Sequence, residues 1–220
     1  MTSTTKTVRP IVFVVDDDPS VRDAIRRLLG TVGLPVKEFG SAREFLATEH
    51  PQGASCLVLD VRLPGISGID FQRELIKANI RIPVIFITAH GDVPMSVKAM
   101  KAGAVEFLIK PFHDQDLLDA VQMALEKDRV RRLGEAEIAE LQRHLRTLTP
   151  RESEVLPRVI SDRLNKQIAA EMNASEATVK VHRSQLMRKM EAKSLPDLVR
   201  MAEKLGISAA APKADSSLPK

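Results

Sequence analysis

Tryptophan and tyrosine are absent, and seven phenylalanines are the only aromatic residues, 3% of 220 positions. So thin a supply gives no aromatic platform on which the bases of a nucleic-acid single strand could stack. A single cysteine, Cys56, excludes an internal disulfide and a cysteine-based zinc site, and fits a reducing compartment. The longest apolar run, Ile11 to Val15, is five residues, against the ~20 of a membrane-spanning helix. No membrane partner is therefore expected. The opening MTSTTKTVRP has no apolar h-region, so no secretory leader is expected and the cytoplasm is the expected location. Hydrophobic residues make up 44% and charged residues 28%, which excludes a collagen-like, low-complexity or wholly disordered chain. At roughly 100–200 residues per domain, the length allows one large domain or two small ones.

Charge is unevenly shared. Residues 1–125 carry 14 basic and 15 acidic side chains, a net −1, whereas residues 126–220 carry 19 and 14, a net +5. A neutral first part and a basic second part suggest different partners, with nucleic acid a candidate for the second.

The first ~125 residues alternate short apolar runs with amphipathic stretches. The runs are Ile11–Val15, a weak one near Val36, Cys56–Leu59, Val84–Ile87 and Phe107–Ile109. They are short and rich in β-branched residues, which predicts buried strands. Helical spacing between them is clearest at Val21, Ile25, Leu28 and at Phe71, Leu75, Ile76. Strands alternating with helices predict βαβ units, right-handed crossovers and a parallel sheet covered on both faces. After Pro111 the strand signal ends. A helical pattern begins at Asp114, weakens through Glu126–Arg132 and Gly134, and resumes at Ile138, Leu141, Leu145 and Leu148. That stretch suits either a helical stalk with a coiled-coil seam or a connector lying on its own domain. Four short helices are expected over 149–208. Thr149-Pro150-Arg151-Glu152 is a capping box with proline at the first helical position, Asn165 is expected to cap the second helix, and Ser175 the third.

Polar residues gather at the carboxyl ends of the expected strands, where such sheets open their crevice. Asp16, Asp17 and Asp18 follow the first, Asp60 the third, Thr88 the fourth and Lys110 the fifth. Like charges about 4 Å apart cost ~4 kcal/mol at an effective dielectric near 20. Protonation, a cation or a lysine must offset that. Oxygen-only ligands suit Mg²⁺, and Lys110 adds a second positive charge. Such a cluster can hold a phosphoryl group on or near a carboxylate.

The segments VFVVDDDPSVR, VLDVRLPGISG, FITAHGD and FLIKPF, in that order, resemble the signature segments of response-regulator receiver domains. The resemblance covers residues 10–125 and implies an α/β flavodoxin-like fold, a five-stranded parallel sheet of order 2-1-3-4-5. By position it makes Asp60 the phospho-accepting residue. Asp16, Asp17, Asp60 and the Arg62 backbone carbonyl become the Mg²⁺ ligands, and Thr88 and Lys110 stabilise the phosphoryl group. Asp18 falls past the acid pair and is expected to cap the helix beginning at Pro19. Thr88 and Phe107 become the switch pair, acting through the helix near Pro94–Lys101, and Lys110-Pro111 is a candidate cis bond.

Residues 166–190 hold a short helix, a turn at Asn173-Ala174-Ser175 and a longer helix, which is helix-turn-helix spacing. On the longer helix Val179, Leu186 and Met190 should face the core, while Lys180, Ser184 and Arg188 recur on another face. LTPRESEVL, NKQIAAEM, SEATVKVHRSQLMRKM and SLPDLVRMAEKLGI resemble LuxR-type helix-turn-helix domains. That resemblance makes Lys180, Val181 and Ser184 base-facing, and Lys166, Thr178, Arg183 and Arg188 phosphate contacts. His182 is read as a structural or phosphate-side residue. Asp162 and Asn173 stand where the family commonly has glycine.

Together the segments resemble FixJ-like response regulators. The expected organisation is a flexible N-terminus (1–9), receiver domain (10–125), helical linker (126–146), four-helix LuxR-type domain (147–208) and disordered tail (209–220). The implied partners are a sensor histidine kinase, double-stranded promoter DNA, a second copy of the chain on phosphorylation and, as a further candidate, RNA polymerase. No turnover is expected beyond self-phosphorylation and slow self-dephosphorylation. Two other readings compete. In an aspartate-nucleophile phosphatase, Asp16 would be the nucleophile and Asp18 the acid/base, but the further acidic pair after Lys110 is missing, because PFHDQDLL opens a helix. A receiver fold used purely for binding would not need the full set of site residues.

Overall fold

A computed structural model describes residues 9–49 and 53–210. The flexible segment expected at 1–9 and the tail expected at 209–220 fall, but for residues 9, 209 and 210, outside the described residues. Two compact units divide between Leu133 and Gly134.

The first unit runs β1 (Ile11–Val15), α1 (Pro19–Thr31), β2 (Val36–Phe39), α2 (Ala42–Leu46), β3 (Ser55–Asp60), β4 (Arg62–Leu63), β5 (Ile66–Ser67), α3 (Gly68–Lys77), β6 (Val84–Thr88), α4 (Val93–Lys101), β7 (Glu106–Ile109) and the start of α5 (Asp114–Arg146). Five strands form a parallel sheet of order β2-β1-β3-β6-β7. Without the two-residue antiparallel pair β4–β5, which the sequence did not signal, this is the expected order 2-1-3-4-5.

Strand alternation explains the layering. Phe13, Val15, Leu57, Leu59 and Phe86 face a cluster completed by Phe45, Phe71, Leu75 and Ala99 of α2, α3 and α4. Their neighbours Val12, Val14, Val58, Ile85 and Ile87 face Ile25 and Leu29 of α1 and Leu117 and Val121 of α5. Each such Val, Leu, Ile or Phe side chain, fully buried, stabilises the fold by about 1.5–3 kcal/mol. The strands read as continuous apolar runs because both faces are covered.

In the second unit, α6 (Pro150–Val159), α7 (Asn165–Met172), α8 (Glu176–Lys189) and α9 (Leu195–Lys204) follow the end of α5. They enclose Val155, Leu156, Val159, Ile168, Val179, Leu186, Met190 and Leu198. The Thr149–Glu152 capping box forms as expected, and Ser175 caps α8. Asn165 does not cap α7. Leu164 occupies that position, its N–H donating to Gln167 Oε1 at 2.9 Å, and Asn165 is the first helical residue. Asn165 is left free to bond elsewhere, as described below. Asp162 and Asn173 adopt the left-handed backbone that glycine usually supplies, at φ 55° and 51°. Ala210 N–H donates to Pro157 O at 3.0 Å.

Candidate functional site: a carboxylate pocket and a basic helix face

Register assembles the pocket. β1 and β3 are neighbours with Val15 opposite Leu59, so Asp16 and Asp60 emerge side by side. β6 lies beside β3, with Asp60 opposite Ile87, which brings Thr88 to the same rim. Lys110 follows β7, and its N–H donates to Thr88 O at 2.7 Å. The Lys110-Pro111 bond is cis.

Asp16 and Thr88 are fully buried, Asp60 nearly so, and Asp17 is exposed. One carboxylate oxygen from each of Asp16, Asp17 and Asp60 lies within 4.8 Å of the others. Lys110 Nζ donates to Asp16 Oδ2 at 2.6 Å and stands 3.9 Å from Asp60 Oδ2. Asp60 Oδ1 is buried without a hydrogen-bond partner. Burial pushes the Asp60 carboxyl above its ordinary value. The Lys110 charge opposes that rise, the Asp16 charge adds to it, and the Arg62 N–H and Asp17 act more weakly in opposite senses. A pocket of crowded carboxylates with an orphaned oxygen fits a hard divalent cation, and these three residues can hold one.

Neighbouring groups set the geometry. Asp18 caps α1, accepting the Ser20 N–H at 2.8 Å, which takes it out of the acid pair as expected. Thr88 Oγ1 accepts the His90 N–H at 3.2 Å and keeps its own hydrogen for another acceptor. Phe107 is half-buried, its ring 6.4 Å from that of Phe86. Arg62 is exposed and pairs with Ser67 in the β4–β5 ribbon.

The sequence reading missed two supports. Arg22 Nη1 donates to the Asp16 and Asp17 carbonyls at 2.7 and 3.1 Å, fixing the acidic loop. Gly68 opens α3 directly against Asp60, and a Cβ there would lie 2.3 Å from the Asp60 carbonyl oxygen. Both lie in the receiver-like segments DDDPSVR and VLDVRLPGISG, but nothing local in the sequence marks their roles.

In the second unit, Val179, Leu186 and Met190 are fully buried, so the opposite face of α8 is turned outward. Thr178, Lys180, Val181, Ser184 and Arg188 are exposed on α8, as is Lys166 on α7. Arg183 is half-buried and donates to Asn165 Oδ1 at 3.3 Å, tying α8 to α7. His182 is half-buried. The arrangement presents a basic helix that a DNA major groove can receive.

Comparison with known proteins agrees with both halves. The response regulator receiver domain pattern matches residues 12–122, and that of bacterial regulatory proteins of the luxR family matches residues 146–202. Nodulation protein W of Bradyrhizobium diazoefficiens is 55% identical over 206 residues, 94% of this chain and 91% of that protein. The transcriptional regulatory protein FixJ of Rhizobium meliloti is 44% identical over 191 residues, 87% and 94% of the two chains. The solved structure of response regulator StyR superposes with a TM-score of 0.81 at 48% identity, covering 90% of this chain and all of that one. Among the described residues no helix is long and apolar enough to cross a membrane.

Proposed function

The chain belongs to the two-component response regulators that join a receiver domain to a LuxR-type DNA-binding domain, and from that membership we propose that Asp60 accepts a phosphoryl group from a partner histidine kinase and that this charge controls DNA binding through α8. The observation that carries the reading is the Asp60 carboxylate itself, with one oxygen buried and unpartnered beside Asp16, Asp17 and Lys110.

In the transfer, an Asp60 oxygen attacks the phosphorus of a kinase phosphohistidine. The new O–P bond forms as the P–N bond breaks, and the imidazole leaves with that electron pair. Lys110 neutralises charge on the arriving oxygens, and the Thr88 hydroxyl donates to one of them. Asp16, Asp17, Asp60 and the Arg62 carbonyl would hold a Mg²⁺ ion, which would supply the remaining positive charge. The phosphoryl group draws Thr88 inward, which changes the space available to Phe107 and the face around it. Phosphate shifts the equilibrium only by its preference for the active state.

The active state is a homodimer in the cytoplasm whose α8 helices enter two major grooves of promoter DNA, where the protein can meet RNA polymerase. Lys180, Val181 and Ser184 face bases; Lys166, Thr178, Arg183 and Arg188 contact phosphates. The test is DNA binding with and without a small phosphodonor, on wild type and Asp60→Ala. Stimulation confined to wild type supports the reading, and equal binding in all four samples overturns it.

A further inference from the structure

Helix α5 runs unbroken for 33 residues, through the division between the two units at Leu133 and Gly134. Its apolar contacts with the sheet end at Ala124 and Leu125. From there to Leu141, the one buried α5 residue among the described residues is an acid, Asp128, with no exposed surface at all.

Asp128 is bonded on every side. Its Oδ2 accepts the backbone N–H of Ser55, the first residue of β3, at 2.9 Å, and the Arg132 Nε at 2.6 Å. Its Oδ1 accepts the Arg131 Nε at 3.1 Å. The two arginines are half-buried and stand one turn further along the same helix. The Asp128 charge is felt at the neighbouring strand residue: burial first, and this charge second, push the Cys56 thiol up.

A buried ion cluster of this kind is a poor way to gain stability, because apolar side chains of similar size generally serve as well. It differs from apolar packing in direction, since each bond fixes one geometry. Here it joins α5, just before the helix leaves the first unit, to the strand whose other end is Asp60. At about 3.3 Å per residue, Ser55 and Asp60 are roughly 16 Å apart along a fully buried strand.

We propose that Asp128 is a positioning residue which, with Arg131 and Arg132, clamps the outgoing turn of α5 to β3, so that the state of the Asp60 pocket reaches the DNA-binding half through a held helix. The coupling rests on the phosphorylation reading above; the clamp does not. Without the clamp, residues 126–133 have no buried side chain to hold them, and the helix can tilt or fray there whatever the pocket contains.

The experiment uses the full chain as wild type, Asp128→Asn and Arg132→Gln. Asparagine keeps an acceptor for the Ser55 N–H but removes the charge. Arg132→Gln leaves Asp128 in place and alters a side chain that reaches solvent, so it guards against loss of the fold. Three quantities are read: phosphoryl uptake at residue 60 from a small phosphodonor with Mg²⁺, amide exchange over 126–133, and the fold-stimulation of DNA affinity by the phosphodonor. Both variants are expected to take up the phosphoryl group as wild type does, to exchange faster over 126–133 but not over 114–124, and to lose the stimulation, of order tenfold for coupling of ordinary size. Wild-type exchange and stimulation in Asp128→Asn overturn the proposal. So does loss of phosphoryl uptake in both variants, which would mean general damage to the unit. If wild type itself shows no stimulation, the phosphorylation reading fails and the coupling falls with it, while faster exchange in the variants still establishes the clamp.

Discussion

Lys110 Nζ stands 3.9 Å from Asp60 Oδ2, near enough to neutralise charge on that oxygen and too far to hydrogen-bond it. Its hydrogen bond goes to Asp16 instead, so the ammonium is held by one carboxylate while it faces the other. Lys110→Ala removes the fixed positive charge. Phosphoryl uptake from a small phosphodonor is expected to slow on the order of a hundredfold, the usual cost of one preorganised stabilising group. A time course of uptake checks it; a rate within a few-fold of wild type would assign the neutralisation elsewhere.

The acid cluster predicts a strict demand for a divalent cation. Chelation with EDTA is expected to abolish phosphoryl uptake, and added Mg²⁺ to restore it. Asp16→Asn should raise the Mg²⁺ concentration needed for half-maximal uptake, by removing a ligand oxygen's charge from the group with Asp17 and Asp60. Uptake unaffected by the chelator contradicts the assigned ligand set.

Gly68→Ala places a methyl group 2.3 Å from the Asp60 carbonyl oxygen, against backbone that cannot swing aside. Overpacking of this kind typically costs about 1–3 kcal/mol. The urea midpoint of the first unit should fall accordingly, and phosphoryl uptake with it, because β3 and the start of α3 must separate at the pocket.

In the second unit, Glu152 is buried and takes the Lys189 Nζ at 2.6 Å and the Thr149 N–H at 2.7 Å on the same oxygen. Burial alone pushes its carboxyl up, but these bonds and the Lys189 charge outweigh it and hold the carboxyl below its ordinary value. The bonded, ionised form therefore stabilises the fold fully above about pH 4.3, and that stabilisation fades as pH falls through the lowered folded-state value. Glu152→Gln should weaken amide protection of 150–159 near neutral pH. The difference from wild type should shrink in acid. A difference that grows in acid contradicts the sign.

On α8, Arg188→Ala is expected to weaken binding to specific and unrelated DNA alike and to reduce the salt dependence, because a phosphate contact is lost. Val181→Ala, on the same exposed face, should instead narrow the gap between specific and unrelated sequences. Filter or fluorescence titrations at several salt concentrations separate the two.

Much of this architecture is legible in the sequence, for physical reasons. The buried strands are continuous β-branched runs, and strand ends place Asp16, Asp60, Thr88 and Lys110 on one rim by register alone. What stays hidden depends on contacts far apart in the chain. Apolar periodicity reports burial, so it fades over 126–137, where α5 is mostly exposed although fully helical. The one buried residue there is an aspartate, which reads locally as surface. Gly68 looks like any turn glycine until the Asp60 carbonyl is placed against it. Asn165 reads as a helix cap because its type favours one, yet the helix begins a residue earlier and the amide is used by Arg183.

The most direct measurement is the mass of the proteolytic fragment containing residue 60, after the full chain is incubated with a small phosphodonor and Mg²⁺. The account predicts a gain of one phosphoryl group on that fragment, absent from Asp60→Ala and discharged in alkali as an acyl phosphate is. A fragment of unchanged mass, or a phosphoryl group that survives Asp60→Ala, would contradict it.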